Sequence, residues 1–144
     1  MFEASDYDTD ILSWSERQAA LLRRVGAGDK VNDQVDWPNV AEEVESVGRS
    51  ELHAVESLLI QAILHGLKAD AWPLPDHVPH CEAEARGFRD DAAHRFTPSM
   101  RQRIDVADLY ARALRRMPGT IGGLPPLPVP AECLVTLDEL LAPG

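Results

Sequence analysis

Asp91-Ala-Ala-His94 sets a carboxylate and an imidazole three residues apart, so a helix would send both from one face. Bundles that hold a carboxylate-bridged di-iron centre use this spacing. His80 and Glu84 project to the same side of the same segment, with His77 nearby in sequence. That side is turned away from the apolar stripe Cys81, Phe88 and Phe96, towards solvent, where a closed site is hard to build. One helix also supplies too few ligands, because bundle metals draw them from several. His80, Glu84, Asp91 and His94 are therefore expected to be solvated charges, and no metal or other cofactor is expected.

Glu51 is the second candidate. Stepped at about 100° per residue, it falls about 20° from Val40, inside an arc that includes Val44, Val47, Val55, Leu58 and Leu59. A buried carboxylate must be paired or protonated. Arg103, flanked by apolar neighbours on its own predicted helix, is the expected partner. If only neutral donors surrounded Glu51, it could serve as an acid or base instead, and if the stripe is uncovered there, Glu51 is exposed at an oligomer or partner surface. His65 lies at the edge of the same arc and is read as a satisfied core residue rather than a ligand or base. Cys81 faces inward and is read as packing, with no basic partner evident to activate it. The chain has no phosphate-cradling Gly-rich loop, no Cys-x-x-Cys, no His-Glu-x-x-His and no Gly-x-Ser-x-Gly.

Four helices must position these groups. Ile11, Trp14, Gln18, Leu21, Leu22 and Val25 recur at helical spacing and predict a helix over 8–25, capped by Asp8 or Thr9 and ended by Gly26. After a polar loop over 27–35, Asp36-Trp37-Pro38 is a helix start, an N-cap carboxylate with proline in the first turn. Glu42, Glu43 and Glu45 complement the dipole there, and the pattern continues unbroken through Lys68. Pro73, Pro75 and Pro79 interrupt it. A third helix is predicted over 79–96, and a fourth from Thr97-Pro98 to Met117. Residues 118–144 hold six of the eleven prolines and read as an extended tail with one short turn at 136–141. The expected architecture is all-α: one domain, an antiparallel bundle of about four helices over 7–117, with a Pro-rich C-terminal tail.

The hairpin of the first two helices brings position 49 level with about Trp14. Arg49 or His53 is thus expected to pair with Asp10 or Asp8. Gly48, on the apolar half of the second helix, predicts a close helix crossing. Trp14 and Trp37 should pack, whereas Trp72 in the proline-rich connector is the aromatic expected to be exposed.

The bulk numbers agree with such a domain. A chain of 144 residues buries about 70% of its unfolded surface without staples. Two cysteines, Cys81 and Cys133, make no disulfide framework and predict a reduced, cytoplasmic protein. No leader or apolar run long enough to span a membrane is evident. A net charge of −10 weighs against nucleic acid, although Arg101, Arg103, Arg112, Arg115 and Arg116 cluster.

Tyr7-Asp-Thr-Asp10, Trp14, Gln18-Ala-Ala-Leu-Leu-Arg23, the run from Asn39 to Glu51 and Leu64-His65-Gly-Leu-Lys68 together resemble the bacterial family catalogued as domain of unknown function 29. The tail, with Pro130-Ala-Glu-Cys133 and Thr136-Leu, is similar again, while 78–117 lacks the family's Trp-Arg and Glu-Gln-Arg pattern. The resemblance implies a small helical protein and carries no catalytic residue over. The function expected is a non-enzymatic module that binds another protein or itself. The alternative is a small enzyme or metal-binding protein that uses inward carboxylates and histidines.

Overall fold

The computed structural model describes the backbone of residues 4–143 and the side chains of 6–143. The described residues are helical, with no strand beyond an isolated bridge between Ile121 and Leu124. None of the helices is long and apolar enough to cross a membrane. The chain packs as two units, Met1–Arg49 and Ser50–Gly144.

In the first unit, Asp10 divides the first predicted helix into α1 (Ala4–Thr9) and α2 (Ile11–Gly26). Its carboxylate accepts from Ser13 N at 3.1 Å, so Asp10, not Asp8 or Thr9, caps α2. Arg23 and Arg24 place positive charge in the last turn, and Gly28 adopts a φ of +95° that lets the chain reverse. A 3-10 turn over Asn32–Gln34 leads to α3 (Trp37–Ala71), 35 residues or about 52 Å long. α3 runs three residues past the expected Lys68 and stops where Trp72 precedes Pro73, a position that disfavours helical backbone. Tyr7 bonds Glu43 while Trp14 and Gln18 bond Asp36, so α1–α2 and the start of α3 run antiparallel.

In the second unit, α4 (Val78–Arg95) carries Pro79 in its first turn. Contacts from Lys68 O to His77, from His65 to Phe88 and from Glu51 to Arg95 run in opposite senses along α3 and α4, which are therefore antiparallel. The fourth helix begins later than expected. Pro98–Met100 forms only a 3-10 turn, and α5 spans Val106–Arg115. Asp105 sets its start by accepting from Ala107 N and Asp108 N. α6 (Leu137–Leu141) opens with a reciprocal Thr136–Glu139 capping box. Gly122 and Gly123, both at positive φ, close the tight turn between Ile121 and Leu124. The core joins Val55, Leu59 and Ile60 of α3 to Ala92 of α4, Leu109 and Ala113 of α5 and Leu140 of α6. Complete burial of a large apolar side chain contributes about 1.5–3 kcal/mol.

Trp72 is buried, not exposed, and its indole N–H donates to Leu124 O at 2.9 Å. Trp37 is 46% exposed rather than packed. Gly48 marks no helix crossing, because a Cβ added there would meet nothing within 4 Å.

Candidate functional site

Two features of the first unit stand out chemically, a buried polar cluster and an uncovered helix face. Asp36 is the hub of the cluster. Its Oδ2 accepts from the Trp14 indole at 3.0 Å and from Asn39 Nδ2 at 2.7 Å. Its backbone N–H donates to Gln18 Oε1 at 2.8 Å. Asp36 and Gln18 are both almost wholly buried, and Asp36 Oδ1 and Gln18 Nε2 lack hydrogen-bond partners. The carboxylate expected to cap α3 is thus spent on side chains, although Asp36 O still accepts the first helical bond from Val40 N. Tyr7 packs edge-on to Trp14 at 4.8 Å and donates to Glu43 Oε1 at 2.6 Å. That bond to a carboxylate pushes the phenol up to about 12. The cluster ties two chain segments together and presents no nucleophile to solvent.

The helix face lies beside it. Trp37, Val40, Val44 and Val47 recur at three- and four-residue spacing along the first turns of α3. Trp37, Val44 and Val47 are 46%, 69% and 67% exposed. Ala41 and Gly48 on the same side are exposed too, so over about three turns no charged side chain interrupts the face.

The residues expected to form a polar core do not meet. Glu51 is exposed and pairs with Arg95 at 3.0 Å, not with Arg103, which is exposed. The buried face of α3 has rotated by this point, to Leu52, Val55 and Leu59, which leaves Glu51 outside. His65 is half-buried, stacked on Phe88 at a centroid distance of 5.4 Å, and its Nδ1 is buried without a partner. It is thus a core histidine with one nitrogen unsatisfied. Burial, with a smaller contribution from the Lys68 charge, lowers its pKa below the usual 6.5.

Arg49 is also placed differently from expectation. Asp36, not residue 49, comes level with Trp14, and Arg49 pairs with Glu42 at 2.6 Å and Glu45 at 3.8 Å. The Asp10 carboxylate is occupied as a cap, and His53 is exposed. Cys81 does have a basic neighbour that sequence reasoning missed: His77 Nε2 lies 3.3 Å from its sulfur. The i, i+4 spacing was the available signal. Burial pushes the Cys81 thiol up, so the buried sulfur is held as a thiol and is poorly nucleophilic. His80, Glu84, Asp91 and His94 are exposed on α4, and among the described residues no three His, Cys, Asp or Glu side chains gather where a metal could sit. In the arginine cluster, Arg101 pairs with Asp138 and Arg112 with Asp108.

The fold has a solved counterpart. A crystal structure of an α-helical protein of unknown function from Rhodospirillum rubrum superposes with a TM-score of 0.62 at 24% identity, covering 98% of this chain and 90% of that one. At that identity the likeness shows the fold alone. No functionally curated protein matches. The sequence profile described as Domain of unknown function DUF29 matches residues 7–144, through the α4–α5 region that lacks the expected motif. The chain therefore belongs to the DUF29 family.

Proposed function

We propose that the protein is a docking module, not an enzyme, whose partner lays a basic amphipathic helix along the Trp37–Val44–Val47 face of α3. The observation that carries this reading is the exposure of Val44 and Val47 at 69% and 67% on an uninterrupted apolar face. Burying a valine contributes about 1.5–3 kcal/mol, most of which both residues forgo in the isolated chain. Helical partners use the same i, i+3, i+4, i+7 anchor pattern. Charge selects among partners. Residues 1–49 hold eleven acidic against five basic side chains, and the exposed Glu42 and Glu45 flank the face. A second copy would bring like charge against like, whereas lysines or arginines beside apolar anchors would meet complementary potential. A cytoplasmic setting fits the free thiols Cys81 and Cys133.

Two measurements test this reading together. Light scattering should give a monomer mass. A labelled amphipathic peptide of about five turns, with leucine anchors and lysine flanks, should bind saturably. A glutamate-flanked version should not bind. Val44→Asp with Val47→Asp should weaken the lysine peptide at least tenfold, roughly 1.4 kcal/mol. Undiminished binding to that variant overturns the proposal. A stable dimer that the same substitutions disperse replaces it with self-association.

A further inference from the structure

The second unit holds a cleft of about 310 Å³ between α3 and α4. Ile63, Gly66 and Leu67 of α3 and Ala85 of α4 form its apolar wall, and Leu134 and Val135 from the segment before α6 line it as well. Small residues are what leave this room. A Cβ built on Gly66 meets nothing within 4 Å, so the glycine serves no helix contact and opens onto space. A volume near 300 Å³ lies at the lower end of small-molecule sites, which are apolar with a few convergent polar groups.

The polar groups here have opposite charges and spare capacity. Arg89 Nε donates to Leu140 O at 3.2 Å and Nη2 to Glu139 O, so the last carbonyls of α6 hold the guanidinium at the cleft. Its Nη1 remains available. Asp70, in the last turn of α3, lines the same cleft, and no side-chain hydrogen bond or ion pair among the described residues engages its carboxylate. Arg89 and Asp70 therefore face one space without pairing with each other. Tyr110 also lines the cleft, its hydroxyl committed to Pro130 O. Burial, then the Cys133 and Asp70 charges, push its phenol up. That cause places the Asp70 charge within electrostatic reach of the cleft wall.

We infer that this cleft binds a small zwitterion with an apolar side chain, an α-amino acid of the branched or aromatic class. Arg89 takes the carboxylate, Asp70 the ammonium, and Ile63, Leu67 and Leu134 the side chain. A carboxylate alone would leave Asp70 opposing it, and an amine alone would leave Arg89 unanswered, so affinity requires both charges on one ligand.

Calorimetric titration with L-leucine and L-phenylalanine tests this, with isovalerate and isoamylamine as single-charge controls. Saturable binding of at least one amino acid is expected, with both controls at least tenfold weaker. Asp70→Asn should weaken the amino acid at least tenfold and Arg89→Met likewise. Arg89 also tethers α6, so Gly66→Leu provides the second variant. It fills the cleft from an open position and should abolish binding while helical circular dichroism is retained. No saturable binding up to about 10 mM overturns the inference, as does binding that survives Gly66→Leu. Isovalerate binding as tightly as leucine removes the role of Asp70 and overturns the zwitterion assignment. None of these outcomes bears on the α3 docking face, which the peptide titration tests separately.

Discussion

The two units of this chain are held together by different physics. The first buries Trp14, Val31 and Val35, and with them Gln18 and Asp36, the only polar residues fully buried among those described. The second buries a continuous apolar cluster from Leu52 to Leu140 in which the Tyr110 hydroxyl, bonded to Pro130 O, is the one polar side-chain group among the fully buried members. Apolar burial is proportional to area and tolerates small shifts, whereas hydrogen bonds depend on a few atoms and leave costly orphans when one is removed. The first unit therefore rests on few atoms, and it already carries two orphans, Asp36 Oδ1 and Gln18 Nε2. It is also where Ile11, Leu12, Trp37, Val44 and Val47 remain uncovered.

Substitutions can break this contrast in order of expected size. Leu59→Ala, at a site with no exposed surface, should cost about 3–4 kcal/mol in urea unfolding through lost transfer energy and a cavity. Asp36→Ala should cost about 2–3 kcal/mol, because the Trp14 donor loses its acceptor in a buried site and Asn39 loses a half-buried one. If Asp36→Ala costs no more than a surface substitution, the hub is not what holds the first unit.

The second unit should respond to pH through His65. Its pKa in the folded chain lies below 6.5, so the unfolded chain takes up the proton first. Stability is thus fully present above about pH 6.5 and falls as pH drops towards the folded value. His65→Phe keeps a ring against Phe88 and should show a smaller loss of melting temperature between about pH 7 and pH 5.5. An unchanged loss would assign the acid sensitivity to other groups.

The smallest effects should come from exposed positions. Gly48→Ala should stabilise by up to about 1 kcal/mol, since alanine is the better helix former and meets open space. The Glu51–Arg95 pair, with both side chains about half exposed, should contribute about 0–1 kcal/mol in a double-mutant cycle with Glu51→Gln and Arg95→Met.

How far these features were legible follows from where their causes lie along the chain. Local signals read well: Gly26 as the end of α2, Asp36-Trp37-Pro38 as the start of α3, and Thr136–Glu139 as the short final helix. Asp105 is a local signal that a start at Thr97-Pro98 passes over, and its side chain caps α5 eight residues further on. Glu51 was misplaced for a geometric reason. A single wheel assumes that one face is buried along all of α3, yet the apolar arc over 37–48 and the buried arc around Val55 and Leu59 are centred roughly 60° apart. Trp72 was misread because its partner, Leu124 O, lies 52 residues away, and no periodicity reports a contact at that range. The Asp36 hub was half legible. Trp14 and Gln18 stand at i, i+4 on one face, but a capping role explained Asp36 well enough to hide its side-chain partners.

The claim that a polar hub, not an apolar core, organises the first unit is tested most directly by a double-mutant cycle with Trp14→Phe and Asp36→Ala. The phenylalanine keeps a ring beside Tyr7 and removes only the N–H donor and part of the indole. With both partners gone, the unpaired indole N–H that Asp36→Ala leaves is gone as well, and only Asn39 Nδ2 still lacks its acceptor. The double mutant should therefore lose about 1–2 kcal/mol less than the sum of the two single losses. Strictly additive losses would mean that the indole and the carboxylate do not support each other, and would contradict the account.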